Sequence, residues 1–201
     1  MNDFWDQRFS GDGYRFGTEP AAFLTRQADR LVAGARALAI CDGEGRNGVW
    51  LAGQGLRVTS FDAAPVGVDK ARALATARGV PLEAHVSGVE DWTWAPDAFD
   101  LVAGVFFQFA APELRARIFD GIARTLKPGG LLLLHGYAPR QVAYGTGGPG
   151  KAENLYTLDL LEQAFAGWQV LEGVDYDAEI AEGDGHVGRS ALIDFVAVKP
   201  G

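Results

Sequence analysis

The order of apolar runs and amphipathic stretches predicts an α/β protein with a seven-stranded, mostly parallel sheet. The sheet ends in an antiparallel strand pair and carries helices on both faces. Three observations carry this. Strand-sized apolar runs alternate with helix-length segments along most of the 201 residues, which is the pattern of parallel βα units. Residues 99–105 are apolar on both faces apart from Asp100, as a strand in the middle of such a sheet requires. Between the last two runs, 168–176 and 190–198, lies only an acidic, glycine-containing stretch. No crossover helix fits there, so these two strands pair antiparallel.

Each element follows in turn. The chain up to about Thr18 is polar and aromatic. Residues 20–33 predict a helix with Pro20 in its first turn. Residues 37–41 form the first strand and lead into Asp42-Gly43-Glu44-Gly45-Arg46-Asn47-Gly48, after which Val49, Leu51 and Ala52 sit in a helix. Residues 57–61 are the second strand, ending at Asp62. In 65–78, Val66, Ala73, Leu74 and Ala77 share a helical face, and Gly79 caps its end. Strands follow at 81–86 and 99–105. Residues 112–126 are a helix with Leu114, Ile118, Ile122 and Leu126 along one side, and 131–136 are the fifth strand. Residues 141–154 are a glycine-rich ordered loop, and 158–165 a helix. No repeat, linker or low-complexity block interrupts the chain. The expected organisation is one domain over 1–201, with 1–19 as a lid segment and 20–201 as the α/β core.

Charge and composition exclude several classes of partner. The formal net charge is -8 and no run of Lys or Arg stands out, which disfavours phosphate backbones and anionic membranes. Cys41 is the single cysteine, so no intrachain disulfide forms, and a reducing cytoplasm is the expected setting. The N-terminus is acidic and aromatic and is not a signal peptide by composition. No apolar run approaches the roughly 20 residues of a membrane-spanning helix. The three histidines and the cysteine lack metal-ligand spacing, so no metal is expected. Oligomeric state is left open.

The chemistry starts at Gly43-Glu44-Gly45-Arg46-Asn47-Gly48, a literal G-x-G-x-x-G after a strand, with Asp62 closing the next strand. Glycines let a ligand approach the backbone, and an acid at a strand end accepts ribose hydroxyls. A nicotinamide dinucleotide and S-adenosylmethionine fit this pattern equally. A plain strand-helix turn is the bland alternative.

Further residues separate the two. Lys127-Pro128-Gly129-Gly130-Leu131, Phe99-Asp100-Leu101-Val102 and the closing strand pair together resemble class I S-adenosylmethionine-dependent methyltransferases, whose sheet is Rossmann-like and seven-stranded. Trp5-Asp6-Gln7-Arg8-Phe9 and Tyr14-Arg15-Phe16-Gly17-Thr18-Glu19-Pro20 resemble the opening segment of the tellurite-resistance and thiopurine methyltransferase types. Gly43 to Ala52 is similar to their first motif, in which Arg-Asn follows the second glycine. The chain departs from the class at Ala39 and Cys41, where many members carry an acid and a glycine, and Asp42 is the candidate substitute.

The resemblance implies a cofactor site. Gly43, Gly45 and Asn47 lie at the first turn, and Asp62 takes the ribose. Ala63 and Val66 touch the adenosine, and Gly88, Val89 and Glu90 lie beside adenine. Val105 and Phe106 lie next to the methionine part. Tyr14 and Phe16 cover the sulfonium, whose charge favours aromatic faces. For a small-molecule acceptor, His135 is a candidate general base with Tyr137 beside it, and Arg140 an anchor for an anionic substrate. Gln108, polar among Phe106, Phe107 and Phe109, and Tyr144 in the glycine-rich loop are candidate substrate contacts. The bland readings are a hydrogen-bonded core histidine, a surface arginine and rim aromatics. Methyl transfer to a soft thiol or chalcogen is the first expectation. A nicotinamide-dependent oxidoreductase and a non-catalytic S-adenosylmethionine-binding module are the alternatives.

Overall fold

The computed structural model describes residues 2–201, with side chains from Phe4 onward. Its strands are β1 (Arg36–Ile40), β2 (Arg57–Asp62), β3 (Glu83–Val86), β4 (Phe99–Val105), β5 (Leu126–Tyr137), β6 (Gln169–Glu182) and β7 (His186–Val198). They form one seven-stranded sheet in the order β3-β2-β1-β4-β5-β7-β6. Pairs β1/β2, β2/β3 and β4/β5 are parallel and β5/β7 is antiparallel. This is the Rossmann-like arrangement expected of the sequence.

The chain divides into two compact units, one comprising residues up to 93 with 182–185, the other 94–181 with 186–201. In the first, α1 (Asn2–Phe9) precedes α2 (Ala22–Arg26), α3 (Arg46–Gly53) and α4 (Pro65–Arg78). Helix α4 starts with Pro65 in its first turn and ends at Gly79 in the left-handed region, φ 67, where a glycine avoids the Cβ clash. Leu38, Ile40, Leu51, Phe61 and Ala64 pack the interior.

In the second unit, α5 (Pro112–Thr125) buries Ile118, Phe119 and Ile122 on one stripe. Helix α6 (Gln141–Tyr144) is one turn, and α7 (Leu158–Ala164) is capped by Thr157, whose Oγ1 accepts from the Leu160 N–H at 3.1 Å. Strands β4, β5 and β7 are buried along most of their length. Trp94 packs so close to Gly121 that a Cβ there would meet its ring at 2.5 Å.

Four sequence expectations are corrected. The helix expected over 20–33 is α2 followed by a separate 3-10 turn, Ala28–Arg30, because hydrogen bonding tightens to three-residue spacing at Gln27 and Arg30. The Lys127-Pro128-Gly129-Gly130 turn lies inside β5. Gly129 N–H donates to the Lys199 carbonyl and Lys199 N–H to Gly130, so the chain beyond β7 pairs with it. The glycine-rich 141–154 stretch holds α6 and a 3-10 turn, Ala152–Asn154. The acidic stretch before the last strand is mostly strand, leaving only Gly183 to Gly185 as a tight turn.

Gly45 governs the approach of α3 to α4. It sits at φ 87, and a Cβ on it would lie 2.5 Å from the Ala71 Cβ. Gly45→Ala is expected to cost about 2–4 kcal/mol, combining left-handed strain and overpacking. Gly53→Ala in the same helix, with open space around it, is expected to gain about 0.5 kcal/mol. Urea unfolding of both variants checks the contrast.

Candidate functional site

The first unit builds a cluster of carboxylates where β1 and β2 end. Beyond β1, Cys41 adopts φ 51 and Gly43 φ 55, so the chain turns sharply into α3. Asp42, at this turn, accepts the Gly48 N–H with both carboxylate oxygens, at 3.1 and 3.2 Å. Gly48 lies in the first turn of α3, so Asp42 satisfies one of the helix's orphan donors. Asp62 accepts the Gly43 N–H and the Ala64 N–H, both at 2.9 Å. One side chain thereby ties the β1 turn to the start of α4.

Burial dominates the electrostatics. It pushes the Asp42 carboxyl up to about 7, with the neighbouring Asp62 adding to the rise against the Gly48 hydrogen bond. Asp62 is raised as well, again mainly by burial, although the Ala64 and Gly43 N–H groups oppose it. The Cys41 thiol is raised by burial and then by both carboxylates, which leaves it a poor nucleophile. Two adjacent acids that resist ionisation make a site where a bound cation or hydroxyl donor lowers the free energy.

The N-terminal segment is docked on this cluster. Phe9 is buried and its ring lies 3.2 Å from where a Gly43 Cβ would be. Trp5 stacks on Phe9, and Phe16 meets Phe9 edge-on. Asp6 accepts the Val66 N–H at 3.1 Å. Lys70 Nζ donates to the carbonyls of Gly11 and Gly13 and pairs with buried Glu44 at 2.9 Å, while Glu44 also accepts the Arg15 N–H. Tyr14 donates its hydroxyl to the Lys70 carbonyl. Tyr14 and Phe16, expected over the sulfonium, are both half-buried within this docked segment.

Arg46 and Asn47 act as clamps. Arg46 pairs with Glu182 at 2.7 Å, and the Asn47 side-chain oxygen accepts the Ala21 N–H at 3.0 Å. Ala63 and Val66 are half-buried at the start of α4. Gly88 and Val89 are half-buried beyond β3 and Glu90 is exposed. The Gly88 carbonyl accepts the N–H groups of Asp91 and Trp92, and Trp92 stacks on Phe61 at 4.4 Å.

The other candidates belong to the second unit. Val105 stands opposite His135 in the β4/β5 register. Phe106 adopts φ 55 and donates its N–H to the His135 carbonyl. A bulky residue in the left-handed region is strained, and such strain gathers at functional positions. Around it stand His135 at 4.6 Å, Tyr137 at 4.7 Å and His186 at 4.2 Å, ring centre to ring centre. Gln108 is buried and bonded at both ends to Tyr137, donating to its carbonyl and accepting its N–H, so its amide holds the end of β5. Arg140 pairs with Asp175 and Asp177 on β6, and Tyr144 donates to Asp177 at 2.7 Å beneath the Arg189 guanidinium. Hydrogen bonds from Tyr144, Arg189 and Arg140 hold Asp177 far below the usual carboxylate range. Arg140 and Tyr144 thus belong to a surface network separate from the Phe106 cluster. Asp194, which hydrogen-bonds His135, escaped the sequence reading. Its signal was a lone acid inside an apolar strand. Among the described residues no group of His, Cys, Asp and Glu could hold a metal ion, and no helix is long and apolar enough to cross a membrane.

Residues 37–130 match the methyltransferase domain family. An uncharacterized methyltransferase of Synechocystis is 34% identical over 103 residues, 50% of this chain and 46% of that protein. The chain thus matches about half the length of this curated relative. A solved structure described as converting a disulfide bond into a thioacetal group during echinomycin biosynthesis superposes with a TM-score of 0.81 at 19% identity, over 100% of this chain and 92% of that one. TehB from Haemophilus influenzae superposes with a TM-score of 0.70 at 13% identity, over 98% of this chain and 66% of that one. The chain shares the fold of S-adenosylmethionine-dependent methyltransferases among its structural neighbours. The tellurite-resistance type expected from the opening motifs stands among its structural neighbours.

The raised Asp42 carboxyl sets a pH dependence. The folded chain holds a proton that an ordinary carboxyl, at 3.8, releases on unfolding. Stability from this group therefore falls as pH rises from about 4 through about 7. Asp42→Asn keeps an oxygen for the Gly48 N–H and removes the charge. Its melting temperature should match that of the unsubstituted protein near pH 4 and exceed it near pH 8, as scanning calorimetry across that range would read.

Proposed function

We propose that this protein transfers the methyl group of S-adenosylmethionine to a small molecule, with a sulfur or other soft chalcogen atom as first candidate acceptor. The observation that carries this reading is the filled N-terminus of α3. In dinucleotide folds the diphosphate rests on that helix N-terminus. Here the Gly48 N–H is taken by the Asp42 carboxylate, and Glu44 stands in the same turn. An anion gains nothing beside these acids, whereas a ligand carrying an ammonium, a sulfonium and a ribose diol does. The residues therefore fit S-adenosylmethionine better than a nicotinamide dinucleotide.

In this reading Asp62 accepts the ribose hydroxyls and Asp42 takes the ammonium in place of the acid that Ala39 lacks. Gly43 and Gly45 provide backbone approach, with Ala63, Val66 and the 88–90 segment beside the nucleoside. Tyr14 and Phe16 offer aromatic faces to the sulfonium. When bound, the cofactor supplies an electrophilic methyl carbon. The chain's own contribution is alignment and exclusion of water, which are worth up to roughly 7–11 kcal/mol. Phe106 and Tyr137 present apolar rings suited to a small, soft acceptor. The structural neighbour described as acting on a disulfide supports a sulfur acceptor. Tyr137, Arg140, Gln108 and Tyr144 are retained as acceptor-side candidates, Arg140 and Tyr144 from the outer network around Asp177.

Calorimetry is the direct test. S-adenosylhomocysteine should bind in the micromolar range and NAD should not bind. Asp62→Ala should weaken the former by tenfold or more, from the loss of charge-assisted hydrogen bonds worth about 1.5–3 kcal/mol each. NAD binding without S-adenosylhomocysteine binding would reverse the choice. Turnover of labelled methyl groups separates an enzyme from a binding module.

The docked N-terminal segment, residues 1–19, is proposed as the lid. Amide exchange at 14–18 should slow on adding S-adenosylhomocysteine, and deleting residues 2–17 should cost cofactor affinity more than thermal stability. Unchanged exchange and unchanged affinity together would leave the segment a structural brace.

A further inference from the structure

Within the second unit, α5 and α7 border a groove that contains a buried cation without a counter-ion. Its cavity of about 180 Å³ is lined by Arg115, Ala116, Phe119 and Asp120 of α5 and by Leu160 and Ala164 of α7. Arg115 is only 8% exposed. Its Nη1 donates to the Glu153 carbonyl at 2.5 Å, and among the described residues no carboxylate stands within ion-pair distance of it. Burial lowers its pKa, with Tyr156 opposing.

A guanidinium taken out of water keeps its charge, so it needs an anion or several acceptors. The Glu153 carbonyl is neutral and engages one of five N–H donors. Bracing the Ala152–Asn154 turn requires no more than that one. A carboxylate matches the planar fork that is left. The chain carries a net charge of -8, so its general field repels anions and only a local cation can hold one. Ala116, Phe119, Leu160 and Ala164 make the rest of the wall apolar. Helix α5 rises about 1.5 Å per residue, which places Asp120 about 7–8 Å along the axis from Arg115. An acid at that end repels a second negative group.

We propose that this groove binds a small monocarboxylate, whose carboxylate pairs with Arg115 and whose short apolar chain lies along Ala116, Phe119, Leu160 and Ala164. The cavity is smaller than the roughly 300–1,000 Å³ of drug-sized sites, which restricts the ligand to a short chain. Asp120 selects against dicarboxylates. None of these residues belongs to the candidate cofactor site, so the proposal stands independently of the methyltransferase reading.

The test is an amide chemical-shift titration of the whole chain at neutral pH with hexanoate, hexanamide and adipate. Hexanoate should bind in the low-millimolar range and move the amides of 112–120 and 160–164. Hexanamide, which has the same chain without the charge, should bind at least about tenfold more weakly, as should adipate. Arg115→Met should weaken hexanoate by a similar factor. Ala164→Leu fills the groove from the exposed end of α7 and leaves Arg115 in place, so it should also weaken hexanoate at least about tenfold. This variant and the hexanamide comparison decide the matter even where Arg115→Met does not fold. Equal binding of hexanoate and hexanamide overturns the anion site. Shifts confined to other residues, or hexanoate binding unchanged in Ala164→Leu, overturn the groove as its location. Adipate binding as tightly as hexanoate overturns the selection by Asp120, and absence of hexanoate binding overturns the proposal as a whole.

Discussion

The first unit depends on two half-buried carboxylates whose oxygens are committed to backbone N–H groups. Asp42 spends both oxygens on the first turn of α3, and Asp62 spends its own on the β1 turn and the start of α4. Two parallel strands and the two helices that follow them are thus registered by side chains rather than by strand pairing alone. Burial makes the arrangement unfavourable to ionise. Backbone N–H groups of Gly48, Gly43 and Ala64 offset part of that penalty.

The N-terminal segment extends this logic. Its backbone carbonyls at Gly11 and Gly13 are gathered by Lys70, and that lysine is held by buried Glu44. An acid within the glycine turn therefore recruits the chain that precedes it. The tip of the β6/β7 hairpin joins in, because the Arg15 carbonyl accepts the N–H groups of Asp184 and Gly185. Sequence-distant pieces are thereby ordered around one turn.

Most of the fold was legible because its signals are local. Pro65 and Gly79 mark the ends of α4 to the residue, although of the face read from the sequence only Leu74 is buried and Gly67, Val68, Ala71 and Ala75 turn inward with it, and the two-faced apolar run 99–105 marks β4 equally well. What escaped depends on partners remote in sequence. The Lys127 to Gly130 stretch looks like a free turn until Lys199 supplies its hydrogen bonds. Gln108 reads in the sequence as a polar residue among aromatics, and only the fold shows its amide holding the Tyr137 backbone. Asp194 is one acid in an apolar strand, and only the β5/β7 register brings it to His135. Glu44 was visible as a residue of the glycine motif, yet its burial and its pairing with Lys70 are properties of the packed unit.

The sheet's terminal strand has a consequence for handling the protein. Strand β6 stands last in the strand order, and Val170, Leu171 and Val174 along it are exposed. An open edge of this kind invites other chains to add on. Glu172, Asp175, Asp177 and Glu179 stud the same strand, and with Arg140 and Arg189 offsetting only part of that charge two copies approaching edge to edge meet like charge. This electrostatic guard weakens when acid neutralises the carboxylates or when concentrated salt screens them. Purification by acid precipitation or high-salt fractionation therefore removes the feature that keeps this edge from templating aggregates, and dilute buffer above neutral pH preserves it.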